Sequence, residues 1–181
     1  CDILDGLPFP DNTFDFVRQA FIIICMNWRL WKEKVVKELI RVTKPGGYIE
    51  IMDINHEIIN PGIVSEKIDD CLEEHFRKAG INRTSGTDVI ETFNEFKDKV
   101  IVAPIEERTY CYGKKAGRIG EALLKSILEA YRAIKISFIH IMRITEEEFE
   151  QTLIGFEKEC NEITHRKTRY RAIIQKRLDS G

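Results

Sequence analysis

Two separated phrases restrict this chain more than anything else in it: Gly6-Leu7-Pro8-Phe9-Pro10-Asp11-Asn12-Thr13-Phe14-Asp15-Phe16-Val17 and Lys44-Pro45-Gly46-Gly47-Tyr48-Ile49-Glu50-Ile51. Pro8 and Pro10 exclude a helix from the first phrase, and Asp11-Asn12 supplies turn chemistry. The apolar run Phe14 to Ile24, broken only at Asp15 and Arg18-Gln19, predicts a strand buried on both faces. Leu30, Trp31, Val35, Leu39, Ile40 and Val42 recur at helical spacing, and Pro45-Gly46-Gly47 stops that pattern. Tyr48 to Ile54 then predicts a second strand. Strand, helix and strand make a right-handed βαβ crossover, a unit of open parallel sheets whose ligands bind at the carboxyl ends of the strands.

Of the 181 residues, 43% are apolar and 32% charged, an ordinary globular composition that can bury one core in one domain. A formal charge of −2 gives no overall field toward nucleic acid or an anionic membrane. The five cysteines, at 1, 25, 71, 111 and 160, form no close pair and no C-x-x-C. Cys25, Cys71 and Cys160 fall in apolar patterns. A reduced, intracellular and cytoplasmic setting with no zinc site is therefore expected. The run Phe21 to Met26 is too short for a membrane span, and Asn82-Arg83-Thr84 carries no weight as a glycosylation acceptor.

Further along, a helix over 65–79 is expected, with Ser65 as its cap and Gly80 as its end, then a short helix from Thr87 to Phe96 and a strand from Lys99 to Ile105. Gly117 to Met142 carries Ile119, Leu123, Ile127, Tyr131, Ile134 and Phe138 along one stripe, predicting a long amphipathic helix. Thr145 and Glu148 form a capping box for the next, which buries Phe149, Leu153, Phe156, Cys160 and Ile163. A last strand spans Thr168 to Gln175. Its basic residues have the composition of an RNA-facing strand, but alternation puts Arg169 and Arg171 on one face and Tyr170, Ala172 and Ile174 on the other, so nucleic acid is not expected. The cluster Asp53-Ile54-Asn55-His56-Glu57 could supply a general base or form only a loop rim. No metal-ligand spacing such as H-x-x-x-H accompanies it. Trp28 and Trp31, with Asn27 as a possible cap, either pack in the core or stack beside a ligand.

The order Asp2-Ile3-Leu4, Leu7 to Val17, then Glu38-Leu39-Ile40-Arg41-Val42-Thr43-Lys44-Pro45-Gly46-Gly47 resembles the latter half of the class I methyltransferases dependent on S-adenosylmethionine, in particular the small-molecule enzymes of the UbiE type and their fungal relatives. The match is specific over residues 1–53 and loose beyond residue 60. It implies an α/β, Rossmann-like methyltransferase sheet, incomplete at its amino end, with helices inserted before the last strand: one partial domain over 1–181, with 113–165 as a helical insertion or cap. In the family the last strands form the only antiparallel pairing.

The resemblance also implies that Cys1-Asp2-Ile3 ends the family's third strand, with Asp2 accepting from the adenine amine and a neighbouring backbone amide, at Ile3, touching the ring. Asp2 as a frayed, exposed residue is the alternative. Gln19 and Arg18 stand where the fourth strand reaches the methionine side of S-adenosyl-L-methionine and the substrate, although Arg18 could simply reach solvent. Asp53 and His56, near the end of the next strand, are the other substrate-side candidates. Asp15 has a structural role, bonding the loop before its strand, and no catalytic residue is identified.

The family's glycine-rich loop and ribose-binding acid are not in these residues. Two further βα units of about 30 residues each are expected before them, and the 181 residues alone are expected to show no saturable cofactor binding at micromolar concentration. The implied activity is methyl transfer to a small-molecule acceptor by the intact parent. The alternative is a truncated, noncatalytic remnant acting as an interaction module through an apolar edge at Phe14 to Ile24.

Overall fold

The computed structural model describes residues 2–22, 26–55, 57–81 and 86–178. His56, Cys25, Asn82-Arg83-Thr84 and the far end of the first expected strand lie outside them. The chain forms two compact units. The first comprises 1–56, 81–108 and 169–181, and the second 57–80 and 109–168.

The elements of the first phrase and its sequel are β1 (Phe14–Ala20), α1 (Trp28–Leu30), a π-helical stretch (Trp31–Val35), α2 (Val36–Val42) and β2 (Thr43–Ile54). After α3 (Ile63–Ala79) come α4 (Gly86–Asn94), β3 (Val100–Val102), β4 (Glu106–Cys111), α5 (Gly117–Ala133), α6 (Lys135–Met142), α7 (Glu146–Glu162) and β5 (Arg166–Lys176). The strand order is β1-β2-β5-β3, with β4 also on β5. β1 and β2 run parallel, as the crossover requires, and β5 is antiparallel to both β2 and β3. Antiparallel pairing is thus not confined to the single pair expected, because β5 lies between two strands of the opposite direction.

β1 corrects the expectation of a strand buried on both faces: Gln19 alone is fully buried and Phe16 is 54% exposed. The reason is its place at one end of the strand order, where an apolar composition meets no second neighbour among the described residues. The π-helical stretch, α2 and α4 cover one face of the sheet. Trp31, Val35, Val36, Leu39, Ile40, Val89 and Phe93 pack there with Ile49, Ile51, Tyr170, Ala172 and Ile174. The alternation read from Tyr170 to Ile174 is the one observed.

The two phrases interlock at the carboxyl end of α2. A helix leaves its last four carbonyls without intrahelical partners, and here each one is answered. Leu39 O accepts from Thr43 Oγ1 (2.6 Å), Ile40 O from Lys176 Nζ (2.9 Å), Arg41 O from Asn12 N (2.9 Å) and Val42 O from Thr13 N (2.8 Å). No glycine cap is needed, so β2 begins directly at Thr43 and Pro45-Gly46-Gly47 forms a bulge inside it instead of a stop before it. Thr43 faces Phe14, while Tyr48 faces Phe16. Gly46 has φ +78, and a Cβ on Gly47 would lie 2.9 Å from Asp15 O, so the bulge requires both glycines. Asp15 pairs with Lys44 at 2.8 Å, across the bulge, instead of bonding the loop before its strand.

Arg41 and Glu38 hold the proline loop from the other side. Arg41 Nη1 donates to Phe9 O and Asp11 Oδ1 (both 2.8 Å), Arg41 Nη2 to Leu7 O (3.1 Å), and Leu7 N to Glu38 Oε2 (2.7 Å). The Arg41 guanidinium, with the Leu7 amide, holds the Glu38 carboxyl at about 2, against an ordinary 4.5. A depressed folded-state value contributes stability that is complete above pH 4.5 and lost as the pH falls through about 2. In denaturation curves taken across that window, Glu38→Gln should lower stability by about 1–3 kcal/mol at pH 6 and flatten the acid limb. An unchanged acid limb would contradict this assignment.

In the second unit, Tyr131, Phe138, Phe149 and Phe156 form the aromatic centre, with ring centroids 5.6–5.7 Å apart. The capping box at Thr145 and Glu148 is present. The expected single helix breaks at Ile134; Tyr131 and Phe138 are buried as expected, but in the first turns the buried stripe lies one residue over, on Gly120, Leu124 and Leu128, leaving Ile119 68% exposed. Two apolar stripes compete in that sequence. Gly120 decides between them, since a Cβ there would lie 2.4 Å from Gly113 O and only a glycine-bearing face can approach that backbone. Ser65 is not a cap: it is buried inside α3, whose start is held by the Glu159 carboxylate on Val64 N (2.9 Å) and Ser65 N (2.8 Å). Burial opposes ionisation of Glu159, but the bonds from Ser65 and Val64 hold its carboxyl below the usual range.

Candidate functional site

The carboxyl ends of β1 and β2 meet in the register Gln19 with Ile51 and Ala20 with Met52. Alternation along the strands then divides the expected site residues between two faces. Gln19 and Asp53 fall on the helix-covered face, while Arg18 falls on the opposite one. His56 lies outside the described residues.

Gln19 is 2% exposed, and its Oε1 accepts from Trp31 Nε1 at 3.0 Å. An indole nitrogen only donates, which fixes the amide orientation and turns Nε2 away as a donor. That Nε2 is buried with no hydrogen-bond partner among the described residues, a condition that costs about 1–3 kcal/mol unless something accepts from it. Trp31 is itself fully buried, with Trp28 stacked on it at 4.9 Å and Phe93 edge-on at 6.1 Å. Of the two alternatives for the tryptophans, core packing holds for Trp31. Asn27 caps α1 through Arg29 N at 2.9 Å. Asp53 is 2% exposed, with Oδ1 accepting from Ile54 N at 2.9 Å, and Asn55 Oδ1 accepts from Gly86 N at 3.2 Å.

Asp2 is exposed, and its Oδ1 accepts from Leu4 N at 2.9 Å, capping a 3-10 turn over Ile3–Asp5. The expected strand tail is therefore a turn at these residues, closed by Gly6 at φ +98. Ile3 packs partly buried against the core.

On the opposite face, sequence reasoning missed an ion-pair group. Glu50, 7% exposed, accepts from Arg18 Nε (2.6 Å) and from Arg171 Nε (2.5 Å), and Arg171 also reaches Glu106 at 3.4 Å. Burial works against the Glu50 charge, yet the two arginines hold its carboxyl below the ordinary range. The signal available was a lone Glu50 among isoleucines, opposite arginines alternating on the last strand.

A cleft of about 580 Å³ lies at the other end of the sheet, around Arg41, Glu38 and Lys176. Those groups are engaged in holding the loop and the end of α2, so the cleft lies away from the strand ends. Among the described residues, no helix is long and apolar enough to cross a membrane.

Residues 1–51 match the family described as "Methyltransferase domain". Over 57 residues the chain is 39% identical to the ubiquinone/menaquinone biosynthesis C-methyltransferases UbiE of Salmonella arizonae and Salmonella paratyphi B, a stretch that is 32% of this chain and 22% of each relative. The chain thus spans less than a quarter of the length of these relatives. Among solved structures, it is similar to phosphoethanolamine N-methyltransferase 2 of Haemonchus contortus in complex with phosphomonomethylethanolamine and S-adenosylhomocysteine. That match has a TM-score of 0.51 at 16% identity and covers 99% of this chain and 37% of the other. A Bacillus halodurans protein assigned to the methyltransferases gives a TM-score of 0.51 at 13% identity, over 97% of this chain and 69% of the other. The fold is that of the Rossmann-like methyltransferases.

Proposed function

We propose, from a chain whose residues 1–51 match a methyltransferase domain and whose fold is that of the Rossmann-like methyltransferases, that the protein is a class I S-adenosylmethionine-dependent methyltransferase that transfers a methyl group to a small organic acceptor at the carboxyl ends of β1 and β2. The observation that supports it is Gln19, whose buried Nε2 donor has no partner among the described residues and whose orientation is set by Trp31. An amide held in this way suits a carboxylate or hydroxyl oxygen of a bound ligand.

S-adenosyl-L-methionine supplies an electrophilic methyl group when bound. The residues of this chain that would hold it are Gln19 and, on the adenine side, Asp2 with the Ile3 amide. Asp2 already has the local role of capping its turn through one oxygen, which leaves the other to accept from an amine. Asp53, buried at the end of β2, and His56 are the substrate-side candidates. Methyl transfer needs chiefly an aligned nucleophile, so orientation and exclusion of water are the work assigned to these groups.

Labelled methyl transfer to a metabolite extract, using the product of the whole reading frame, tests this. Gln19→Leu should cut the rate at least tenfold, the loss of about 1.4 kcal/mol or more of ligand binding, while Gln19→Glu should retain the Trp31 contact and lose the donor. Label transfer that is absent in the wild type, or equal in Gln19→Leu, would refute the proposal. A second reading has one observation behind it. β1 ends the strand order with Phe16 and Phe21 half exposed, which suits pairing with another chain, and a monomer in light scattering would count against it.

A further inference from the structure

The face of the sheet opposite α2 and α4 carries a cleft of about 210 Å³ lined by Glu50, Met52, Glu106, Arg108, Arg169 and Arg171. The register sets it at the carboxyl end of β2, since Arg171 is opposite Met52 and Arg169 opposite Ile54. Open sheets receive ligands at that end. Three guanidinium groups line the cleft and Arg18 adjoins it through Glu50, against two carboxylates, an excess of two positive charges.

The carboxylates do not neutralise it evenly. Glu50 has both oxygens taken, one by Arg18 and one by Arg171, each through Nε. Among the described residues, the Glu106 carboxylate is reached only by Arg171 Nη1, at 3.4 Å. The guanidinium of Arg108, on the β4 wall, has no hydrogen-bond or ion-pair partner among the described residues. A guanidinium presents a planar fork that fits two oxygens of a carboxylate or phosphate, and it binds them more strongly where other cations sit close by and low-dielectric walls focus the field.

We propose that this cleft binds an oxyanion, a carboxylate or a phosphate monoester carried by a small ligand, with Arg108 as the recognising fork, while Glu50 holds Arg18 and Arg171 in place as positioning groups. The site is separate from Gln19, which is on the other face. It stands on its own geometry and does not require methyl transfer.

The test titrates inorganic phosphate and, separately, acetate into the 181-residue chain at ionic strength held constant with chloride. Arginine Nε–Hε resonances are followed by NMR. Saturable shifts with a dissociation constant of about 1 mM are expected for at least one of the two anions. Arg108→Gln should weaken binding about tenfold, Arg108→Lys should fall between it and wild type, and Lys125→Gln, which removes the same charge elsewhere, should bind as wild type does. Saturation by phosphate alone assigns a phosphate monoester, and saturation by acetate a carboxylate. The proposal is overturned if neither anion saturates, if chloride alone reproduces the shifts, or if Arg108→Gln binds as wild type. Because anion binding alone is read, failure of the methyl-transfer proposal leaves this result intact.

Discussion

Replacing Trp31 by alanine is expected to cost the first unit about 3–5 kcal/mol, the range for a large aromatic removed from a packed core. The side chain is fully buried, stacks on Trp28, meets Phe93 edge-on and holds the Gln19 amide. Its removal deletes the packing and also leaves both ends of a buried amide unanswered, so the structural and functional losses should appear together. Trp31→Phe separates them. It keeps an aromatic ring but no N–H, so about 1–3 kcal/mol should be lost, and ligand binding should fall further than stability does because the amide is free to turn over. Urea denaturation monitored by circular dichroism reads the first number. A cost below about 1 kcal/mol for Trp31→Ala would show that the π-helical stretch is not packed as described.

The second large effect is expected at Lys176. Its ammonium donates to Asn12 Oδ1 (2.7 Å), Thr43 O (2.8 Å) and Ile40 O (2.9 Å), using all three of its hydrogens on the turn, the bulge and the end of α2. Lys176→Met keeps the stem and removes the head. With two backbone carbonyls losing a charged donor, about 2–4 kcal/mol should be lost. Hydrogen exchange at the Asn12 and Thr13 amides should accelerate with it, because these amides bond the neighbouring carbonyls of α2. Lys176→Arg should not rescue, as a planar fork cannot reproduce three converging bonds. Unchanged exchange at Asn12 and Thr13 would mean that the turn docks without Lys176.

These two residues show where the sequence was legible and where it was not. Trp31 falls on the 3.6-residue period that predicts α2, and the order of strand, helix and strand follows from that period and from the prolines. Lys176 carries no such signal. It acts at a distance of more than a hundred positions in sequence, on carbonyls that every residue has, and only the antiparallel placement of β5 beside β2 brings it there. The same holds for Arg18. Its residue type was readable, and so was its turning away from Gln19 by alternation, but not that the register of β1 on β2 would set Glu50 beside it. The buried strand expected at Phe14 failed because composition reports apolarity and not the number of neighbouring strands. The first turns of the α5 stripe failed because two apolar rows one residue apart satisfy the same period, and a glycine contact chose between them.

Gln19 was legible as a polar residue within an apolar run, but the orientation of its amide was not, since that depends on one indole nitrogen. The most direct measurement is calorimetric titration of S-adenosyl-L-methionine into the product of the whole reading frame, with wild type and Gln19→Leu side by side. Wild type is expected to bind saturably, with binding weakened at least tenfold in the variant, about 1.4 kcal/mol or more, and with urea midpoints showing that both are folded. Equal affinity in the two folded proteins would contradict it.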